Sequence, residues 1–427
     1  MSEKLIFLLQ RTLRKTWLRC TFFALFAVIA VVLATLLGPY IDEDVALKLG
    51  SDAIGSLLNI LASSMLTVAI FSASTMVSSF GAVASSATPR ASQLLIEDST
   101  IQNTLAAFIG AFVYSIIALV GLHAHVYGDG GRLVLFGFTL IVLVLVVIVL
   151  LRWIDYLSVL GRLGETIRRV EAATRKAMDQ RIDKPYLGGV PQRAGDRGAH
   201  PLMAPTTGFV LHVSMDLLQA QAEKLGLRLH LHVLPGHFVE PGTPILSADG
   251  PVDAQASAAL CDAVSIGPAR TFDHDPRFGL VVMGEIAARS LSAAVNDPGT
   301  SFDVMATAVK VLSYWTTAMG QRGEDAQAPQ FDRIAVPGIH EAGMVEDVFA
   351  PIARYGAGAV EIGITLQRAL RSVARLDGNI AVAASAMSTY AMQRAVHAGL
   401  PQVDLDALRH SAAWAQGAAP IPARAAA

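Results

Sequence analysis

The sequence predicts an α-helical membrane domain of four transmembrane helices, followed by a cytoplasmic α+β domain with a small barrel-sandwich-like strand unit. Two observations carry this prediction. Four long uncharged runs fill the first 152 residues of the 427-residue chain, and none follows them. Short alternating strand patterns and amphipathic helix patterns occupy the remainder, as in ordinary globular sequence.

Each uncharged run is long enough to cross a bilayer as a helix. The hydrocarbon core needs about 20 apolar residues in helical form, and lipid offers no partner to free backbone groups. The first run is too long for a signal-peptide core and lacks a clear cleavage site, so we expect it to be retained. The runs are Cys20 to Tyr40, the stretch between Asp52 and Arg90, Ser99 to Gly128, and Leu133 to Leu151.

Charge asymmetry predicts the orientation of these helices. Basic residues precede helix 1 and follow helix 4, whereas Asp42, Glu43, Asp44 and Asp52 dominate the loop after helix 1. An excess of Lys and Arg marks cytoplasmic flanks, so we expect a multi-pass protein of the bacterial inner membrane with both termini cytoplasmic. The basic residues are Lys4, Arg11, Arg14, Lys15 and Arg19, then Arg152, Arg162, Arg168, Arg169, Arg175 and Lys176.

Composition divides the rest of the chain into segments. After the membrane domain at 1–152, charged residues interleaved with apolar ones predict that the helix continues as a stalk over 153–182. Frequent Pro and Gly predict a linker over 183–207. A small barrel-like β unit is expected over 208–250, a helical soluble region over 251–416 and a loose tail over 417–427.

Local patterns place the elements of these segments. Gly208 to Val213 reads as a strand, Met215 to Leu225 as a helix ended by Gly226, and Arg228 to Leu234 as an alternating strand. The uncharged stretch Gly378 to Gln393 is short for a span, which favours a packed soluble helix over a fifth crossing. The other predicted helices are Ala254 to Ala263, Phe278 to Val295, Thr300 to Met319, Met344 to Tyr355, Ala359 to Leu376 and Asn379 to Ala398.

Helix 2 carries a stripe of hydroxyl and small side chains, which we call the hydroxyl stripe. At about 100° per residue its members fall within roughly 60° of the helix circumference. The stripe either lines a pore or substrate path, or lets helices pack closely in lipid, with Ala106, Gly110 and Ala111 of helix 3 as the facing surface. Its members are Ser63, Thr67, Ser74, Ser78, Gly81 and Ser85.

Several segments together resemble the domain-of-unknown-function 2254 family of predicted bacterial membrane proteins. They are FSASTMVSSFGAVASSATPR (71–90), FIGAFVY (108–114), GFV (208–210), PGHFVEPGTPIL (235–246), G-x-x-RT-x-x-x-D-x-x-FG (267–279) and IAARSLSAAVNDPGTSFD (286–303). The chain departs from the family pattern at His274, where Gln is usual, and at Ser292-Ala293, where Ser-Pro is common. The resemblance implies four membrane helices and a cytoplasmic domain, and it implies no known activity.

The PGHFVEPGTPIL segment also resembles the strand-turn-strand of biotinyl and lipoyl modules. Those carriers present a modifiable Lys at a hairpin tip, and no such Lys occurs here. We therefore expect a structural module and no cofactor. The spacing of His230, His232 and His237 is not that of a metal site, so no metal is expected either.

Two Asp-Pro pairs, at Asp275 and Asp297, each predict the start of a helix. Capping alone accounts for both pairs. Helix N-termini also attract anions, and the neighbouring side chains have fixed donor geometry, so a ligand cleft for an anionic small molecule is the alternative. Its candidate residues are Arg270, Thr271, His274, Asn296 and Asp297.

The sequence favours an oligomeric channel or transporter-like protein modulated by its cytoplasmic domain. A membrane-anchored sensor or scaffold without transport is the alternative. An enzyme ranks third because the sequence contains no nucleophile–base set, phosphate loop or metal spacing, and no catalytic residue is proposed. The expected partners are the lipid bilayer and other copies of the chain, and a net charge of −2 gives no reason to expect nucleic acid.

Overall fold

The computed structural model describes residues 16–37, 51–96, 98–124, 126, 128–193, 195–196, 198–323 and 328–415. Within these ranges, residues up to 85 and residues 92–162 form a membrane unit, whereas residues 86–91 and those from 163 onward form a C-terminal unit. The basic flank from Lys4 to Lys15, the acidic loop after helix 1 and the predicted loose tail lie outside the described residues.

Within the described residues, three helices of the membrane unit are long and apolar enough to cross a bilayer. These spans are Ala53–Ser86, Ser99–His123 and Gly130–Val159. In the first helix the described apolar part is only Val28–Leu37, so the fourth crossing stays a prediction. The helices are α1 Thr16–Leu37, α2 Ser51–Ser86, α3 Pro89–Ile96, α4 Ser99–His123 and α5 Asp129–Val159.

The interior of the membrane unit combines small and large apolar side chains. Ala30 and Ala34 of α1 and Phe108 and Ala111 of α4 are buried in one cluster, and α1 and α4 approach each other closely. Small residues permit that approach in lipid, where packing rather than water exclusion holds helices together. A buried hydrogen bond of 3.0 Å between the hydroxyl groups of Tyr114 and Thr139 ties α4 to α5.

The predicted continuous stalk over 153–182 is wrong, because the helix is interrupted. α5 ends at Val159, Leu160 is extended, and Gly161 adopts a positive φ of 85°. The next helix, α6, begins at Leu163 and buries Ile167, Val170 and Met178. A left-handed residue cannot continue an α-helix, and glycine adopts that conformation without steric cost.

Among the described residues, nine α-helices make up most of the C-terminal unit. α6 packs against α9 and α10, and α9 in turn packs against α11. The uncharged stretch in α13 is not among the candidate membrane spans, as expected. The helices are α6 Leu163–Asp183, α7 Met215–Leu225, α8 Ala254–Asp262, α9 Phe278–Ser290, α10 Pro298–Gly323, α11 Glu341–Tyr355, α12 Val360–Val373, α13 Gly378–His397 and α14 Gln402–Ala412.

The strands form two small sheets, with orders β1-β8-β4-β6-β2 and β5-β3-β7. Four strands lie outside the expected β unit: β1 and β2 in the predicted linker, β7 and β8 in the predicted helical region. β8 pairs in parallel with both β1 and β4. The strands are β1 Gly189–Pro191, β2 His200–Met203, β3 Gly208–Val213, β4 Leu229–Leu231, β5 Phe238–Val239, β6 Pro244–Ala248, β7 Val264–Gly267 and β8 Phe331–Val336.

A close helix crossing joins α6 to α9. A Cβ atom at Gly279 of α9 would overlap the Thr174 side chain of α6, which is fully buried. The Thr174 hydroxyl donates to the Val170 carbonyl at 2.6 Å, which holds its rotamer in place. The crossing therefore depends on glycine at position 279.

We predict that Gly279→Ala lowers the free energy of unfolding by about 1–3 kcal/mol through overpacking. Gly320→Ala is the matched control, because position 320 is also helical but its Cβ would meet no atom within 4 Å. That control should be neutral or stabilise by up to about 1 kcal/mol. Thermal melting of the full chain measures both variants, and equal melting temperatures for the two would contradict the crossing.

Candidate functional site

A buried carboxylate gathers polar groups in front of α9. Asp275 is only 4% exposed. Its Oδ2 accepts from Nε and Nη2 of Arg270 at 2.8 and 2.6 Å. Its Oδ1 accepts from the backbone N–H groups of Arg277 and Phe278 at 3.1 and 3.2 Å. The N-cap position of α9 is Arg277 rather than the predicted Asp275, although Asp275 still accepts from the N–H of Phe278, the first residue of the helix. A carboxylate offers about four lone-pair positions, and these four bonds occupy them.

The ionised form of Asp275 suits this environment. Burial raises the pKa of its carboxyl, while Arg270 and the backbone N–H of Arg277 act to lower it. All four contacts are donors, and a carboxylic acid proton would displace one of them. We infer that Asp275 carries its negative charge at neutral pH.

A second ion pair lies beside the first. Arg277 donates from Nε and Nη2 to the two carboxylate oxygens of Asp347 on α11, at 2.8 and 3.1 Å. The Asp347 side chain is 8% exposed. A Cβ atom at Gly343 would lie 2.5 Å from Nη2 of Arg277, so glycine there gives the guanidinium its space. The pair ties the loop before α9 to α11.

The turn that precedes β5 comes close to the same carboxylate. Gly236 has a positive φ of 96°, and a Cβ atom there would overlap Asp275. Its backbone N–H donates to the Val210 carbonyl of β3 at 2.8 Å. Glycine is therefore required at position 236 for two reasons: its backbone has a positive φ, and Asp275 leaves no space for a side chain. This contact brings the PGHFVEPGTPIL segment to the RT-x-x-x-D segment.

Arg181 of α6 adds a third guanidinium to this region and is 5% exposed. Burial lowers its pKa to about 10, an effect that Asp275 partly opposes, so the side chain stays charged at neutral pH. Its Nη1 has no hydrogen-bond partner within the described part of the chain. Buried polar atoms without partners are rare in native proteins.

Two histidines near this region are held in the neutral form. Burial and, to a smaller extent, the neighbouring His274 lower the pKa of His212 to about 4; the two ring centroids are 4.8 Å apart. Burial also lowers the pKa of His237, as do Arg277, Arg270 and Arg181 in that order. His237 therefore senses all three guanidinium groups.

The two segments predicted to share a ligand cleft each satisfy their own charges. Arg270 bonds to Asp275, and Asp297 caps α10 by accepting from Thr300, from N–H at 3.2 Å and from Oγ1 at 2.6 Å. The Thr300 hydroxyl accordingly lowers the pKa of Asp297. Asn296 turns the chain with a positive φ of 49°. Thr271 and His274 lie in the loop with Arg270, and the meeting of both segments in one cleft stays a prediction.

The histidines of β4 and its flank have separate partners. Nε2 of His230 lies 2.7 Å from Oδ1 of Asp249, and Nε2 of His232 lies 2.8 Å from the Ser247 hydroxyl. Among the described residues no group of three or more His, Cys, Asp or Glu side chains could hold a metal ion. Neither Arg181 nor Asp347 was predicted as a site residue, because both lie on helices with several charged side chains, which are usually solvated.

Every member of the hydroxyl stripe on α2 is exposed within the protomer. On the other side of the helix Leu61, Met65, Ala69 and Val83 are buried. The stripe thus does not pack against Ala106, Gly110 and Ala111 of α4, which are buried elsewhere in the unit. The exposed members are Ser63, Thr67, Ser74, Ser78, Gly81 and Ser85.

Comparison with known proteins identifies the family. A family model described as "Predicted membrane protein (DUF2254)" matches residues 14–372. The chain belongs to the DUF2254 family. This DUF2254 protein is 33% identical over 113 residues to uncharacterised proteins of Mycobacterium bovis and Mycobacterium tuberculosis. The match covers 25% of this chain and 22% of each relative's length. No solved structure matches the chain.

We predict that Gly236→Ala lowers the melting temperature of this DUF2254 protein more than Gly242→Ala does. Both glycines have a positive φ, 96° and 98°, so both variants carry a backbone strain of about 1–2 kcal/mol. Only at Gly236 would the new methyl group overlap Asp275, whereas at Gly242 it would meet no atom within 4 Å.

The two variants are compared by thermal melting of the full chain at one pH. The difference between them isolates the contact with Asp275 from the backbone effect that they share. Equal losses of melting temperature in the two variants would mean that glycine is needed at position 236 only for the backbone conformation of the turn.

Proposed function

We propose that this protein forms a homo-oligomer in which the hydroxyl stripe of α2 lines a hydrated path, as in a channel or a transporter-like protein. Membership of a family of predicted membrane proteins and the apolar spans support its place in a membrane. The basic flanks favour the bacterial inner membrane with both termini and the C-terminal unit on the cytoplasmic side. In that arrangement the C-terminal unit modulates the path.

The exposure of the stripe carries this proposal. Ser63 and Thr67 donate to carbonyl groups one turn earlier in their own helix, at 3.0 and 2.9 Å. The side chains of Ser74 and Ser78 have no hydrogen-bond partner within the described residues. An unpaired hydroxyl in hydrocarbon costs about 4–8 kcal/mol relative to water on alkane scales. Water along a path, or another copy of the chain, removes that cost.

Large apolar side chains border the stripe on both sides. Ile70 and Val77 lie on one side, Phe71 lies on the other, and each is more than 60% exposed. At about 100° per residue they are displaced from the stripe by 20–40° around the helix. These apolar side chains suit contacts with neighbouring copies or with lipid. In the proposed oligomer the hydroxyl stripe itself faces the symmetry axis.

The alternative is a membrane-anchored sensor or scaffold, in which the stripe packs directly against α2 of a second copy. Gly81 favours this reading, because a Cβ atom there would meet nothing within 4 Å and a second helix has room to approach. The two functions differ in whether water reaches the stripe.

Single cysteines test this difference in a background that carries Cys20→Ser and Cys261→Ser. We predict that Ser74→Cys and Ser78→Cys react several-fold faster with a membrane-impermeant thiol reagent than Ile70→Cys, because only a hydrated thiol ionises readily. Ile70 is the matched control, since it is equally exposed in the protomer but lies on the apolar shoulder.

The rates are measured on the oligomer in lipid. Unreactive cysteines at both stripe positions, with efficient disulfide cross-linking between copies at position 78, would exclude the path and leave the scaffold. Reaction at the shoulder as fast as at the stripe would also contradict the path.

A further inference from the structure

The polar region in front of α9 contains one cation more than its bonded ion pairs use. Arg270 bonds to Asp275, and Arg277 bonds to Asp347, with Glu346 as a further negative neighbour of Arg277. Arg181 senses Asp275 but forms no hydrogen bond to it, because both carboxylate oxygens already accept two donors each. Within the part of the chain that the structure describes, the buried charge of Arg181 therefore lacks a bonded counter-ion.

We propose that Arg181, with Arg270 and Arg277 beside it, binds the phosphate group of a ligand, and that Nη1 of Arg181 donates to a phosphate oxygen. Guanidinium groups match the geometry of phosphate oxygens, and several of them around one anion favour a dianion over a single carboxylate. The ligand is either a soluble phosphate compound or the headgroup of an anionic lipid.

Two of the three guanidinium groups are partly exposed to solvent. The side chains of Arg270 and Arg277 are 22% and 29% exposed. Burial and the three arginines lower the pKa of His237, so its neutral imidazole adds a donor or acceptor without adding charge. Arg181 lies behind these groups as the buried end of the site.

An ordered water molecule bonded to Nη1 is the competing explanation for the unpaired atom. Water would satisfy the hydrogen bond but would bring no negative charge into contact with Arg181. The two explanations differ because only a phosphate site makes the stability of the protein depend on phosphate concentration, through binding to the folded state.

The test uses the full chain in phosphatidylcholine nanodiscs, melted in inorganic phosphate or in chloride of equal ionic strength. At a phosphate concentration roughly ten times the dissociation constant, we expect the melting temperature to rise by about 2 °C. Arg181→Met should abolish this rise. Without phosphate, this variant should melt at or above the wild-type temperature, because it removes an unpaired buried charge.

Arg368→Met is the matched control, because it removes the same charge from an exposed position on α12. It should keep the full phosphate response. If Arg181→Met does not fold, Arg181→Lys takes its place: it keeps the charge but loses the planar fork, and it should need several-fold more phosphate for the same rise.

A second arm separates the two sources of phosphate. Nanodiscs containing phosphatidylglycerol are compared with phosphatidylcholine alone, in chloride without phosphate. If the melting temperature rises in an Arg181-dependent way only with phosphatidylglycerol, the site binds a lipid headgroup. If it rises with inorganic phosphate, the site binds a soluble phosphate compound. The absence of any Arg181-dependent rise in both arms would overturn the proposal. This result is independent of thiol reactivity on α2.

Discussion

A buried carboxylate in a protein interior must find a donor for each of its lone pairs, and Asp275 meets this requirement from two directions. Arg270 supplies two side-chain donors, and the start of α9 supplies two backbone donors. The turn at Gly236 passes so close that no side chain fits there. The strand region and the helices of the C-terminal unit are thereby joined at one charged group.

The remaining polar features of this region follow from that carboxylate. Asp275 already accepts four donors, and the side chain of Arg277 pairs with Asp347 of α11. Within the described residues, Nη1 of Arg181 has no hydrogen-bond partner. Gly343 leaves space for the Arg277 side chain. The segments around positions 236, 275 and 343 are therefore mutually dependent, although they are far apart along the chain.

The membrane unit presents the opposite situation, since its distinctive polar groups point outward. Ser74 and Ser78 lie on the exposed face of α2, whereas Met65 and Ala69 fill the protomer interior. Lipid is a poor environment for unpaired hydroxyl groups. In the proposed function, further copies of the chain cover these hydroxyl groups or enclose water beside them, as a scaffold or as a channel.

Local signals predicted much of the structure, and non-local contacts account for what they missed. β3 and α7 occur at the predicted residues. The end of α7 was predictable because Gly226 adopts a left-handed conformation, which glycine favours. The cap at Asp297 also agrees, whereas the N-cap position of α9 is Arg277 rather than the predicted Asp275. β8 was not predicted, because its six residues form a strand by pairing with β1 and β4, which lie more than 90 residues earlier in the chain. Arg181 was missed because burial of one arginine in a charged helix is a tertiary property.

The most direct test of the role of Asp275 is hydrogen–deuterium exchange of the full chain carrying Asp275→Asn. The amide has the size of the carboxylate, but its NH₂ group would face the donors of Arg270. Asp253→Asn is a matched control, because Asp253 caps α8 from an exposed position by accepting from Ala256 N–H at 2.7 Å.

We predict that Asp275→Asn increases exchange both at residues 236–240 and at the start of α9, whereas Asp253→Asn affects only α8. Increased exchange confined to α9 would mean that Asp275 is a helix cap and no more, which would contradict its role as the junction of the strands and the helices.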